Sequence, residues 1–145
     1  MKQEVTTLVI DAENAVVGRL ASYTAKQLLL GKEIAIVNTE KAIITGNKKD
    51  TEEKYLNLRR KGGSAMRGPF FPSNPERILK RIINGMLPKK SMRGFEAIKR
   101  VKCYNGVPRE FENADKIKSG KNKATSKKIT IKELGGKLKP WKTKK

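Results

Sequence analysis

The sequence predicts an α/β domain built on a parallel sheet, followed by basic loops and a basic tail. Three observations lead there. A β-branched run, Val5–Ile10, precedes a segment of helical periodicity starting at Val17, and a second β-branched run, Ile34–Val37, follows it. Strand, helix, strand in that order marks a right-handed βαβ unit, whose strands lie parallel. At 145 residues the chain has the size of one domain with a tail. Its formal charge of +20 is unevenly spread: residues 1–50 hold 7 basic and 6 acidic side chains, 51–100 hold 13 and 4, and 101–145 hold 14 and 4. A nearly neutral scaffold is therefore followed by two strongly basic thirds.

Each element has a local reason. Val5–Ile10 is bounded by Asp11, and Asn14 is placed to cap the next helix. Val17, Leu20, Ala21, Thr24 and Leu28 share one face of that helix, and Gly31 suits its C-terminal stop. Lys41–Thr45 is a candidate third strand. Lys49–Arg60 carries acids in its first turn and Arg59 and Arg60 in its last, which suits the helix dipole and explains Glu52-Glu53 better than acid–base chemistry does. Lys61–Asn74, rich in Gly, Pro and Ser, is expected as a long loop. Ser73–Glu76 is a helix start, with Ser73 or Asn74 as cap, Pro75 in the first turn and Glu76 completing a capping box for Glu76–Leu87. Ser91 opens a further helix, and Val101–Gly106 is expected as a strand ending in an Asn-Gly turn, with Cys103 a small buried hydrophobe. Lys116–Lys128 is expected as a polar loop or tail that orders on its partner. Thr130–Glu133 caps a short helix expected to end at Gly135-Gly136, before an extended basic tail.

Composition excludes several functions. The absence of histidine removes the commonest general base and metal ligand, and one cysteine makes neither an internal disulfide nor a zinc cluster. The G-x-x-x-x-G-K-[ST] phosphate loop does not occur. No apolar run approaches the roughly 20 residues that span a bilayer, and the acid-bearing N-terminus lacks a signal-peptide core. The expectation is a soluble, intracellular, non-enzymatic protein without cofactor or metal. Self-repulsion among its cations is offset by a polyanion, nucleic acid before membrane, because the basic residues are not gathered on one long amphipathic helix.

The candidate contacts fall in four places. In Glu76–Leu87, Ile78, Leu79, Ile82, Ile83 and Met86 form one face, and Arg77, Lys80, Arg81 and Asn84 another that faces either phosphate or plain solvent. In the turn Leu87–Gly94, Lys89, Lys90 and Arg93 lie beside the N-terminus of the next helix, which ends in Lys99 and Arg100. The loop Arg59–Phe71 joins Arg59, Arg60, Lys61 and Arg67 to Gly62, Gly63, Phe70 and Phe71, the rings serving either to stack on bases or to plug the core. Lys121, Lys123, Lys127 and Lys128 follow in the polar stretch. Trp141 in the tail either stacks on a base or packs on its own domain.

Gly85–Gly106 (GMLPKKSMRGFEAIKRVKCYNG) resembles the signature of the large-subunit ribosomal protein L-thirteen family. RRKGGSAMRGPFFPSNPERILKRIINGMLP before it resembles the archaeal and eukaryotic branch, and VIDAENAVVGRLAS resembles the family's first strand and helix start. The likeness covers Val5 to Glu112; the long C-terminal helical extension of eukaryotic members is missing, which points to the archaeal type. The resemblance implies a three-layer α/β/α domain around a four-stranded, mainly parallel sheet in residues 1–112, with 113–145 a basic extension holding one short helix. It also implies a single copy, not a homo-oligomer, that binds large-subunit rRNA beside neighbouring ribosomal proteins in the cytoplasm and contributes to subunit assembly. Composition alone leaves a free nucleic-acid regulator or a DNA-compacting protein open.

Overall fold

The computed structural model describes residues 7–61, 71–120 and 126–139. Strand β1 (Thr7–Asp11) and strand β2 (Glu33–Val37) pair in parallel from Thr7↔Glu33 to Asp11↔Val37, joined by helix α1 (Val17–Leu29). Strand β3 (Ile43–Thr45) and helix α2 (Lys48–Arg60) follow, then α3 (Pro75–Gly85), α4 (Met92–Lys99) and strand β4 (Val101–Cys103). Strands β5 (Lys116–Lys118) and β6 (Lys128–Thr130) precede helix α5 (Ile131–Leu138). The main sheet has the order β4-β2-β1-β5 with every pair parallel. The expected four-stranded parallel α/β architecture is present.

Alternation along the strands divides the core. Ile10, Ile34 and Ile36 point to one face, where α1, α3, α4 and α5 bury Leu20, Leu28, Ile78, Leu79, Ile83, Ala97, Ile131 and Leu134. Helix α2 buries no residue fully but lays Tyr55 and Leu56 against the same cluster. Val9, Ala35 and Val37 point to the other face, covered by Tyr104, Val107, Phe111 and Ala114 from a segment holding the 3-10 turn Arg109–Phe111. The three layers are therefore unequal, with the helices massed on one side.

Several local expectations are corrected. Asn14 does not cap α1: it is left-handed, φ 56°, and the cap position falls on Val16, whose N–H donates to the Gly120 carbonyl at 2.9 Å. Asn74 precedes α3 without a side-chain cap bond, and the Glu76 carboxylate accepts from Asn105 Nδ2 at 2.9 Å instead of closing a capping box. Ser91 and Thr130 do cap, accepting from the N–H groups of Arg93 at 3.2 Å and Glu133 at 3.3 Å. Gly31 takes the expected left-handed C-terminal position, φ 93°.

The largest correction concerns Lys116–Lys128. Lys116–Lys118 is no loop; it forms the outer strand of the main sheet, with Val9↔Lys116 to Asp11↔Lys118 in register. Lys128–Thr130 pairs antiparallel with β3, which stands outside the main sheet. Short strands held by backbone bonds tolerate lysine at an edge, so their side chains give little warning. Nor does α5 stop at Gly135-Gly136. Gly135 is buried, and a Cβ there would lie 2.5 Å from the Ser73 carbonyl oxygen, so the glycine lets α5 approach the chain entering α3. Ile131, Leu134 and Leu138 are each at most 2% exposed. At about 1.5–3 kcal/mol for each buried aliphatic, their burial is comparable to the whole net stability of a small domain, about 5–15 kcal/mol.

Gly135→Ala should therefore lose about 1–3 kcal/mol through overpacking. Gly136→Ala, where a Cβ meets nothing within 4 Å, should gain about 0.5–1 kcal/mol from helix propensity. Chemical denaturation of the two variants checks the opposite signs.

Candidate nucleic-acid interface

The turn between α3 and α4 shows how local sequence builds the site. Leu87 is buried, anchoring the end of α3, and Lys89 and Lys90 are exposed beyond it. A Cβ at Gly94 would lie 2.1 Å from the Pro88 carbonyl oxygen, so only glycine allows α4 to start this close to the turn. With Ser91 capping α4, the two lysines sit on a rigid corner.

The other candidate cations divide by what they touch. Arg93 Nη2 donates to the Leu29 carbonyl at 3.1 Å and Arg100 Nη2 to the Leu28 carbonyl at 3.0 Å, so two guanidiniums from either end of α4 grip the C-terminus of α1. Arg59 Nη1 donates in the same way to the Leu138 carbonyl at the end of α5. The helix dipole favours cations at these places. Lys80 Nζ reaches the Val101 carbonyl at 3.2 Å, tying α3 to β4. Arg81 lies over the Phe71 ring at 4.8 Å and Lys99 over the Phe95 ring at 4.4 Å. Arg60, Lys61, Arg77, Lys89, Lys90, Lys127 and Lys128 are exposed. Arg67, Lys121, Lys123 and Trp141, with Gly62, Gly63 and Phe70, lie outside the described residues. A guanidinium has five donors, so one bond to a carbonyl leaves Arg59, Arg93 and Arg100 able to meet a phosphate as well.

Phe71 packs edge-on against Tyr55, ring centroids 5.1 Å apart, and joins the main core. Lys54, outside the sequence-predicted contacts, lines a groove between α2 and α3 together with Arg81 and Lys89. The signal that could have found it is its place on α2, four residues before Leu58. Two ion pairs, Lys41–Glu13 at 2.8 Å and Lys48–Glu133 at 3.3 Å, join residues outside the candidate contacts. The hydrogen bond from Lys41 to Glu13 holds the Lys41 ammonium above its ordinary range.

Among the described residues, no three His, Cys, Asp or Glu side chains are grouped to hold a metal ion, and no helix is long and apolar enough to cross a membrane. Cys103 is half-buried against the main core, less enclosed than its sequence pattern implies. Burial pushes its thiol up to about 12, with Lys80 pulling down and Glu76 pushing up, so it stays protonated at neutral pH.

The family model for ribosomal protein L13 matches residues 5–110, which include α3, α4 and the basic turn between them. The chain belongs to the ribosomal protein L13 family. It is 52% identical over 107 residues to the large ribosomal subunit protein uL13 of Methanopyrus kandleri, a match covering 74% of this chain and 67% of that one. It is 47% identical over 127 residues to uL13 of Picrophilus torridus (86% and 91% covered) and 51% identical over 130 residues to uL13 of Methanococcus maripaludis (88% and 93% covered). All three are archaeal. The family match ends at residue 110, before β5 closes the sheet and α5 completes the core, whereas the longer alignments span 127 and 130 residues.

One expectation follows from the division of the cations and a second from the enclosed Cys103 thiol. Arg100→Gln, which removes one of the donors to the Leu28 carbonyl, should lower stability by about 0.5–1.5 kcal/mol, whereas Lys90→Gln on the exposed corner should stay within about 0.5 kcal/mol of wild type; urea unfolding compares them. Iodoacetamide at about pH 8 should alkylate Cys103 at least roughly tenfold more slowly in the folded chain than in concentrated urea, read by mass spectrometry.

Proposed function

We propose that this chain is a structural constituent of the large ribosomal subunit, where it binds and organises rRNA and so contributes to subunit assembly and translation, without catalysing a reaction. The observation that carries this is the exposed cationic corner Lys89–Lys90, next to the groove-lining Lys54, in a chain whose relatives are named large ribosomal subunit protein uL13. Affinity comes from Lys and Arg neutralising phosphates and releasing counterions. Arg60, Lys61, Arg77, Lys89, Lys90, Lys127 and Lys128 meet the RNA directly in this reading. Arg59, Lys80, Arg93 and Arg100 hold the fold and add to its positive charge. Arg67, Lys121, Lys123 and Trp141 extend it in segments outside the described residues. The chain then acts as one copy among neighbouring ribosomal proteins, in the cytoplasm.

The test has two parts. The tagged chain should sediment with large subunits in a sucrose gradient; recovery only in the light fractions would sink the proposal. The purified chain should bind large-subunit rRNA with an affinity that falls steeply with salt. Lys89→Gln/Lys90→Gln should flatten the slope of log K against log [salt] by about 2, near 0.9 for each phosphate that is no longer neutralised. An unchanged slope would remove the corner from the interface.

A further inference from the structure

The groove between α2 and α3 combines features that a phosphate-binding surface alone does not need. Its volume is about 500 Å³, within the range of roughly 300–1,000 Å³ usual for small-ligand pockets. Half-buried Tyr55, Leu58, Phe71 and Ile82 form its apolar wall. Lys54, Arg81 and Lys89 stand on it, and no carboxylate is among the described residues that line it. Arg81 is held in place over the Phe71 ring, and Phe71 is in turn held edge-on by Tyr55, so wall and cation come as one braced unit. Exposed Asn84 adds two amide donors and an acceptor at the end of α3.

We infer that this groove takes an unpaired nucleotide of RNA, its base against the apolar wall and its flanking phosphates on Lys54 and Lys89. The inference rests on the rRNA-binding reading above and deepens it. A-form duplex RNA presents phosphates and a wide, shallow minor groove, and its stacked bases cannot enter a pocket of this size. Single strands are held where cations track the backbone and aromatic and apolar side chains receive a base. An extended peptide is the competing occupant, but three cations with no acid among the lining favour a polyanion.

Gly85 supplies the test. It lines the groove, it is exposed, and a Cβ built on it meets nothing within 4 Å, so Gly85→Leu fills the groove without straining α3. Fluorescence anisotropy with the full chain would compare a labelled hexauridylate with a labelled blunt RNA duplex. The expected result is about a tenfold weakening for hexauridylate, duplex affinity within about twofold, and a melting temperature no lower than that of wild type. Should Gly85→Leu melt lower, Lys54→Gln replaces it, and the hexauridylate salt slope should then fall by about 0.7, for one phosphate on a single strand. Equal effects on both RNAs, or none, would overturn the groove assignment while rRNA binding stands, provided wild type still binds large-subunit rRNA. Wild-type binding to none of the RNAs would remove both readings. Normal binding to both probes with loss of sedimentation alongside subunits would replace the nucleotide with a protein segment.

Discussion

Two parallel strands cannot be joined by a tight turn, so β1 and β2 need a crossover, and α1 supplies it. The rest of the domain depends on that unit. Val17, Leu20, Ala21, Thr24, Ala25 and Leu28 turn one side of α1 onto the sheet, over Ile10, Ile34 and Ile36. Later segments then add in the two ways left open. Strands β4 and β5 extend the sheet at its edges, and α3, α4 and α5 fill the helical face beside α1. A helix crowded by neighbours still has carbonyls at its end without an i+4 partner, and at the end of α1 two arginines at either end of α4 donate to them.

That meeting bears on the charge. An excess of +20 repels itself, and the fold uses part of it. Arg59, Lys80, Arg93 and Arg100 neutralise carbonyl dipoles between elements, so they are structural cations whatever else they touch. The lysines at the corner after α3 stay outside. Basic residues close together in sequence thus serve different ends: Lys90 faces out, while Arg93, three residues on, grips another helix. Solvent-facing cations and cations that hold the scaffold are interleaved along the chain.

Much of this was legible from local pattern. The β-branched runs, the helical period from Val17, and the caps at Ser91 and Thr130 follow from short-range sterics and hydrogen bonding, and they stand in the structure. The amphipathic split of α3 was equally plain, with Ile78, Leu79 and Ile83 inside and Arg77 and Asn84 outside. What pattern could not resolve was competition between partners. Asn14 and Glu76 have the right chemistry to cap, but the chain turns Asn14 left-handed and Asn105 draws Glu76 away. Gly135 and Gly136 resemble a stop until Ser73 approaches, and Lys54 resembles an ordinary surface lysine until Arg81 and Lys89 join it along a groove.

The α/β class, the parallel β1–α1–β2 unit, the concentration of positive charge beyond residue 50 and the absence of histidine all follow from the chain as written. These depend on composition and on neighbours a few residues apart. It took the folded chain to establish that Lys116–Lys118 closes the sheet, that α5 completes the core, and which cations hold carbonyls and which face solvent. Those outcomes depend on backbone hydrogen bonds and close approaches between residues far apart in the chain. A lysine-rich segment carries no mark of the strand that will pair with it, nor an arginine of the carbonyl it will reach.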